Sequence, residues 1–170
     1  MEPSLAYLAG FFDGEGNVGI YKGGGTGRTL RVQITQVQSP RTTELLQCVQ
    51  TRWGGSMAAF NQDLRRPAWN LQMGGQAAAN MLADLLPHLY LKRDQAELAL
   101  LWFRSRPLRL RDPATGRHMA RGVDDIALTE RVAGLLKQMK WSADGASAED
   151  AEDLVEVRHT LRQVVNVKGD

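Results

Sequence analysis

The sequence predicts an α+β fold: an antiparallel sheet made of two hairpins, with helices before, between and after them. Three observations carry that prediction. A helical stripe near the start runs directly into an alternating segment. Two pairs of alternating segments are each joined by a short glycine-rich or polar turn. Helical periodicity then takes over from Ala77 onwards. The order is helix, hairpin, helix, hairpin, helices.

Leu5, Leu8 and Phe12 recur at helical spacing behind Pro3, a residue suited to a helix start, and Gly14 and Gly16 mark the stop. Asn17 to Tyr21 alternates, with Val18 and Ile20 on one face and Asn17, Gly19 and Tyr21 on the other. Gly23 to Gly27 is a flexible turn, and Leu30 to Val37 returns with Val32 and Ile34 inward and Arg31, Gln33 and Thr35 outward. Ser39-Pro40 reads as an N-cap and first-turn proline opening a helix from Pro40 to about Thr51, which buries Leu45, Leu46 and Val49. Gly54-Gly55 breaks the chain before the second hairpin, Ser56 to Asn61 and Arg65 to Met73, with its turn near Gln62-Asp63. The return strand directs Trp69, Leu71 and Met73 inward and Ala68, Asn70 and Gln72 outward.

A helix from Ala77 to Leu86 is stopped by Pro87, and a stronger one runs from Asp94 to Arg104 with Leu98, Leu101 and Trp102 apolar. The polar stretch Pro107 to Gly122 reads as loop. Helices around Val123 to Met139 and Ala148 to Val165 follow, separated by Trp141 to Gly145. A chain of 170 residues fits one domain, with a core over 1–106 and helical support over 107–170.

The first helix carries two features beyond packing. Ala6, Ala9 and Gly10 form a small-residue surface that lets a second helix backbone come close. Asp13 and Glu15 sit at the C-terminal end, where the macrodipole is already negative and a base would be the stabilising choice. Acids there point to a cation, and a carboxylate with free carbonyls is the hard-oxygen set that Mg²⁺ accepts while keeping waters and phosphate oxygens. A solvated acidic turn is the other reading of an isolated Asp-Gly-Glu-Gly.

Composition narrows the class. With 43% apolar and 24% charged residues the chain is an ordinary globular sequence. Cys48 is the single cysteine, which excludes an internal disulfide and a cysteine zinc site and suits a reducing compartment. His88, His118 and His159 lack ligand spacing. No long apolar run or cleavable signal is present, so the expectation is an intracellular protein, in a prokaryotic cytoplasm or an organelle, with no membrane partner.

Net charge is only +2, but it is unevenly spread. Between Asn17 and Gly75, Lys22, Arg28, Arg31, Arg41, Arg52, Arg65 and Arg66 face only Glu44 and Asp63. After Trp141, the acids Asp144, Glu149, Asp150, Glu152, Asp153 and Glu156 outnumber the bases Arg158, Arg162 and Lys168. A basic middle fits nucleic acid and an acidic tail fits solvent. The outward strand faces, with Tyr21, Arg31, Gln33, Thr35, Asn70 and Gln72, offer donors and acceptors on alternate positions. A twisted sheet can carry such a face into a major groove, although half-buried sheets also have polar outer faces for solvent alone.

The run Leu8-Ala9-Gly10-Phe11-Phe12-Asp13-Gly14-Glu15-Gly16 resembles the signature of the LAGLIDADG homing endonucleases position by position. Phe11 and Phe12 are apolar replacements, Gly14 replaces Ala and Glu15 replaces the second Asp. One copy of the motif is present. The resemblance implies an αββαββα core and a homodimer on a pseudo-palindromic duplex, with Ala6, Ala9, Gly10 and Asp13 at the dimer interface. It implies Mg²⁺-dependent cleavage of double-stranded DNA leaving four-base 3′ overhangs. Glu15 matches the metal-binding acid and Gly14 the carbonyl that completes the shell, while Asp13 matches an acid assigned to structure at the helix end.

Gln33-Ile34-Thr35-Gln36 resembles the Q-V-T-Q run of small homodimeric members and gives Gln36 the role of orienting water. Leu89-Tyr90-Leu91-Lys92 resembles their L-x-L-K run and makes Lys92 the base near the scissile phosphate. Pro40 falls where a further arginine is expected, leaving Arg41 for that role. The DNA-binding set is Asn17, Tyr21, Arg28, Arg31, Gln33, Thr35, Arg65, Arg66, Asn70 and Gln72. Two other classes fit the scaffold: a cleavage-inactive DNA-binding regulator or intron RNA maturase, and an interaction domain whose helix merely dimerises.

Overall fold

The computed structural model describes residues 2–23, 27–60, 66–106, 114–115, 122–141 and 148–167. The turns expected around residues 24–26 and Gln62-Asp63, most of the Pro107 to Gly122 loop, and 142–147 lie outside the described residues, and with them Arg65, His118, Asp144 and Lys168. The chain divides into two compact units, Met1–Leu100 and Leu101–Asp170.

The first unit holds the expected α+β order: α1 (Leu5–Glu15), β1 (Gly16–Lys22), β2 (Arg28–Val37), α2 (Pro40–Trp53), β3 (Ser56–Phe60), β4 (Ala68–Gly74) and α3 (Gln76–Leu85). A 3₁₀ turn, Leu86–His88, leads to α4 (Arg93–Ser105), which crosses the boundary between the units. The sheet order is β1-β2-β4-β3 with every pair antiparallel, so the two hairpins join through β2 and β4. Gly16 lies opposite Ile34 in the first hairpin, and Thr35 lies opposite Asn70 where the hairpins meet.

Alternation sorts the faces as expected. Val18, Ile20, Leu30, Val32, Ile34, Leu71 and Met73 are buried on the covered face, against Leu8 and Phe12 of α1, Leu46 and Val49 of α2, and Met81, Leu82 and Leu85 of α3. Each such side chain contributes about 1.5–3 kcal/mol. Trp69 also faces inward, where its Nε1 donates to Thr43 Oγ1 of α2 at 2.8 Å. Ala68 keeps the outward phase of Asn70 and Gln72 but is buried, covered by its ladder partners Val37 and Phe60.

Local chemistry sets the boundaries. Ser4, not Pro3, starts α1, its hydroxyl accepting the Tyr7 N–H at 3.2 Å. Ser39 and Thr42 form a reciprocal capping box on α2, whose first residue is Pro40. The helix runs two residues past the expected end, because Trp53 is buried and donates from Nε1 to Asp84 Oδ2 of α3 at 2.8 Å. Gly55 sits at φ +103°, and a Cβ there would stand 2.6 Å from the Gln72 carbonyl oxygen.

The junction of α1 and β1 is equally tight. A Cβ on Gly16 would lie 2.3 Å from Phe12 Cδ2, inside the buried ring. Gly16→Ala is therefore expected to cost about 1–3 kcal/mol by overpacking, which urea denaturation measures as a lower midpoint at unchanged slope.

The second unit holds α5 (Val123–Trp141) and α6 (Ala148–Val167). Val132, Leu135 and Leu136 of α5 and Val157 and Leu161 of α6 are buried, and Trp102 Nε1 donates to Thr129 Oγ1 at 3.1 Å. Arg131 bridges the two helices, donating to Glu156 at 2.9 Å and to Asp153 at 3.1 Å, and these bonds hold the guanidinium further in its charged form. No described helix is long and apolar enough to cross a membrane.

Candidate active site and nucleic-acid interface

The C-terminal end of α1 is where the candidate residues converge. Three carbonyls in this last turn follow one another with different fates. Phe12 O accepts the Gly16 N–H, Asp13 O accepts the Lys92 ammonium Nζ, and Gly14 is next, on the exposed side. Glu15 projects as an exposed carboxylate at the last helical position. Lys92 reaches this point from a distance of 79 residues along the chain. Charge of both signs therefore meets at the helix end.

Asp13 does something different from Glu15. Its carboxylate is 8% exposed and accepts two backbone N–H groups, Tyr90 on Oδ2 at 2.7 Å and Lys92 on Oδ1 at 2.8 Å. Both oxygens are thus spent inside the chain.

Ala9 differs from the other small residues of the helix. It is 0% exposed, packed inside its own subunit, whereas Ala6, Tyr7, Gly10 and Gly14 are exposed along the opposite side of α1. A Cβ on Gly10 or Gly14 would meet nothing within 4 Å, and neither has positive φ. Nothing in this chain asks for glycine at either place, and each costs the helix about 1 kcal/mol relative to alanine.

The other candidates fall into two groups. Gln36 lies two residues beyond Ile34, the partner of Gly16, and so stands roughly 7 Å further along β2 at the sheet end where α1 finishes. It shares the covered face with Leu30, Val32 and Ile34 and is half-buried opposite Trp69. Arg41 is exposed in the first turn of α2, and no described contact brings it to Glu15 or Lys92.

On the uncovered face the polar side chains form a connected row. Asn17 Nδ2 donates to Tyr21 Oη at 3.0 Å and to Gln33 Oε1 at 3.4 Å, and Gln33 Nε2 donates to Gln72 Oε1 at 3.1 Å. Three strands are linked in this way. The Arg31 guanidinium lies 5.1 Å from the Tyr21 ring centroid, and the ring lies over Gly19, where a Cβ would come within 2.7 Å of it. Thr35 is exposed and Asn70 half-buried beside this row. Arg28 NH1 donates to Ile20 O at 3.5 Å near the hairpin turn, and Arg66 is exposed ahead of β4.

The donor set at the end of α1 suits a hard divalent cation. It offers one exposed carboxylate, Glu15, and the Gly14 main-chain oxygen, leaving positions for water and phosphate. Among the described residues no group of three or more His, Cys, Asp or Glu side chains could hold a metal within one chain. Sequence reasoning missed Tyr90 and Leu91. These are 88% and 69% exposed beside the helix end, because the Asp13 carboxylate fixes their backbone while leaving their side chains out.

No family model and no curated protein matches the chain. Solved structures do. The homing endonuclease I-CvuI in complex with its target in the presence of Ca is 20% identical, with a TM-score of 0.61 over 93% of this chain and 94% of that one. The archaeal intron-encoded homing endonuclease I-Vdi141I complexed with DNA is 14% identical, with a TM-score of 0.52 over 94% and 96%. The LAGLIDADG homing endonuclease I-GzeII in complex with its DNA target is 15% identical, with a TM-score of 0.50 over 91% of this chain and 50% of that one. On these likenesses this chain has the LAGLIDADG homing endonuclease fold.

Proposed function

We propose that the protein is a site-specific double-strand DNA endonuclease that works as a homodimer and hydrolyses phosphodiester bonds with the help of Mg²⁺. The observation that carries this reading is the meeting of Lys92 with the acidic end of α1, beside the exposed Glu15. Two copies joined along Ala6, Gly10 and Gly14 bring two such ends together, and close approach of the backbones accounts for glycines that the single chain does not need. The alignment of this chain with half of I-GzeII supports the same pairing.

Glu15 and the Gly14 carbonyl would hold the cation, which when bound supplies activation of water and charge stabilisation at the leaving 3′ oxygen. The Lys92 ammonium stabilises negative charge developing on the phosphate, from a half-buried position that its bond to the Asp13 carbonyl fixes in advance. Gln36, half-buried at the same end of the sheet, orients water by hydrogen bonding, and Arg41 contributes positive charge from the first turn of α2. The row Tyr21, Asn17, Gln33 and Gln72, with Arg31, reads base edges, while Arg28, Thr35, Arg65, Arg66 and Asn70 extend the contact. Two-fold symmetry in the protein asks for a pseudo-palindromic target, and cuts across the minor groove leave four-base 3′ overhangs.

Selection of cleaved sites from a randomised duplex library tests the reading. Cutting is expected in Mg²⁺ and not in EDTA, and log affinity for the selected site should fall steeply and linearly with log salt as counterions are released. Binding without cutting in Mg²⁺ would make the protein a regulator on this scaffold, and salt-insensitive or absent binding would remove nucleic acid altogether.

A further inference from the structure

The structure assigns Asp13 as a positioning residue for Lys92, an assignment that rests on the nuclease reading above. Asp13 holds Lys92 twice. Its Oδ1 accepts the Lys92 backbone N–H at 2.8 Å, and its main-chain carbonyl accepts the Lys92 Nζ. Oδ2 accepts the Tyr90 N–H at 2.7 Å, so the carboxylate spans both sides of Leu91. One residue of the motif helix thereby fixes where the backbone of the lysine starts and where its side chain ends.

The anchoring continues into α4. The Ala96 N–H donates to Lys92 O at 2.9 Å, which makes Lys92 the residue from which the helix ladder springs. A lysine stem carries four rotatable bonds and much conformational freedom, and an ammonium held in place before substrate arrives does not lose that freedom during the reaction. Tyr90 and Leu91 are exposed, so their own side chains do not hold this segment; the buried Leu89 side chain before it and the Asp13 carboxylate do. Asp13 touches neither the phosphate nor the metal in this assignment. It acts through Lys92.

A double-mutant cycle on the full chain separates positioning from simple stability. Single-turnover cleavage of the selected site is measured for wild type, Asp13→Asn, Lys92→Met and the double variant, with site binding followed in parallel. Asp13→Asn, which turns one acceptor into a donor facing an N–H, is expected to slow cleavage by about 30- to 100-fold while binding changes less than about 3-fold. The double variant should be no slower than Lys92→Met alone, within about 3-fold, because the lysine is the only route by which Asp13 acts. Multiplied losses, or a wild-type rate for Asp13→Asn, would overturn the assignment.

A second readout needs no cleavage. Acetylation of Lys92 in the free protein, followed by mass spectrometry with Lys137 as the internal exposed reference, should be about 5- to 10-fold faster in Asp13→Asn than in wild type; an unchanged rate rejects the positioning role. Tyr90→Pro covers the case in which Asp13→Asn does not fold. Leu89 already has the extended backbone that a following proline requires, at φ −72° and ψ 141°, and the substitution removes one of the two donors to the carboxylate. It should give an intermediate rise in labelling, and no rise counts against the proposal. A wild-type protein that cuts no duplex would sink the nuclease reading alone, since the labelling contrast stands or falls by itself.

Discussion

Glu15→Gln is expected to reduce cleavage by roughly a thousandfold or more and to leave site binding intact. The exchange keeps the shape of an exposed side chain at the last position of α1, so neither helix nor hairpin is disturbed. What it removes is the negative charge that a hard cation requires. Losing several kcal/mol of charge stabilisation corresponds to a rate factor of about this size. Binding should hold steady or tighten a few-fold, because a like charge beside the phosphates has gone. Gel shift and single-turnover kinetics on one duplex measure both quantities. A variant that cuts at the wild-type rate would remove Glu15 from the metal site.

Gly10→Leu should convert the proposed dimer to monomer and abolish double-strand cutting with it. The position is open in the single chain, so a leucine there clashes with nothing and the fold should persist or gain helix propensity by about 1 kcal/mol. The damage falls on the neighbouring copy, whose backbone can no longer approach. Sedimentation velocity distinguishes the outcomes: an unchanged dimer would show that α1 is not the meeting surface. Gly14→Leu is a poorer probe, since it lies next to Glu15, the proposed metal ligand, and would confuse assembly with chemistry.

The fold was legible because its signals are local. Alternation placed the inward residues of both hairpins, and Ser39-Pro40 and Gly54-Gly55 marked α2 from its two ends. The orientation of α1 was less legible. Ala6, Ala9 and Gly10 are all small, and a small residue satisfies a close contact equally well inside its own subunit or outside it. Ala9 turned out to serve the first purpose. The bonds of Asp13 are not legible for a related reason: its partners, the N–H groups of Tyr90 and Lys92, are 77 and 79 residues away, and backbone donors leave no trace in side-chain pattern.

The role proposed for Lys92 rests on the likeness of Leu89-Tyr90-Leu91-Lys92 to a family run, because a lysine at a helix entry is otherwise indistinguishable from a surface residue. The buried ends of Trp53 and Trp69 were half legible. Hydrophobic spacing put Trp69 inward, but the hydroxyl and carboxylate that satisfy the two indole N–H groups come from helices that only the tertiary fold brings near.

The placement of β3 at the sheet margin has a practical consequence. Ser56 to Phe60 is short, mostly exposed and uncharged, and its outer row of amides pairs with no further strand among the described residues. Such a margin can recruit the same segment from a neighbouring molecule, so warming or crowding should drive this protein towards insoluble assemblies that begin at Ala58 and Ala59. A lysine introduced at either alanine would discourage that stacking without touching the hairpin that carries Asn17 and Gln33.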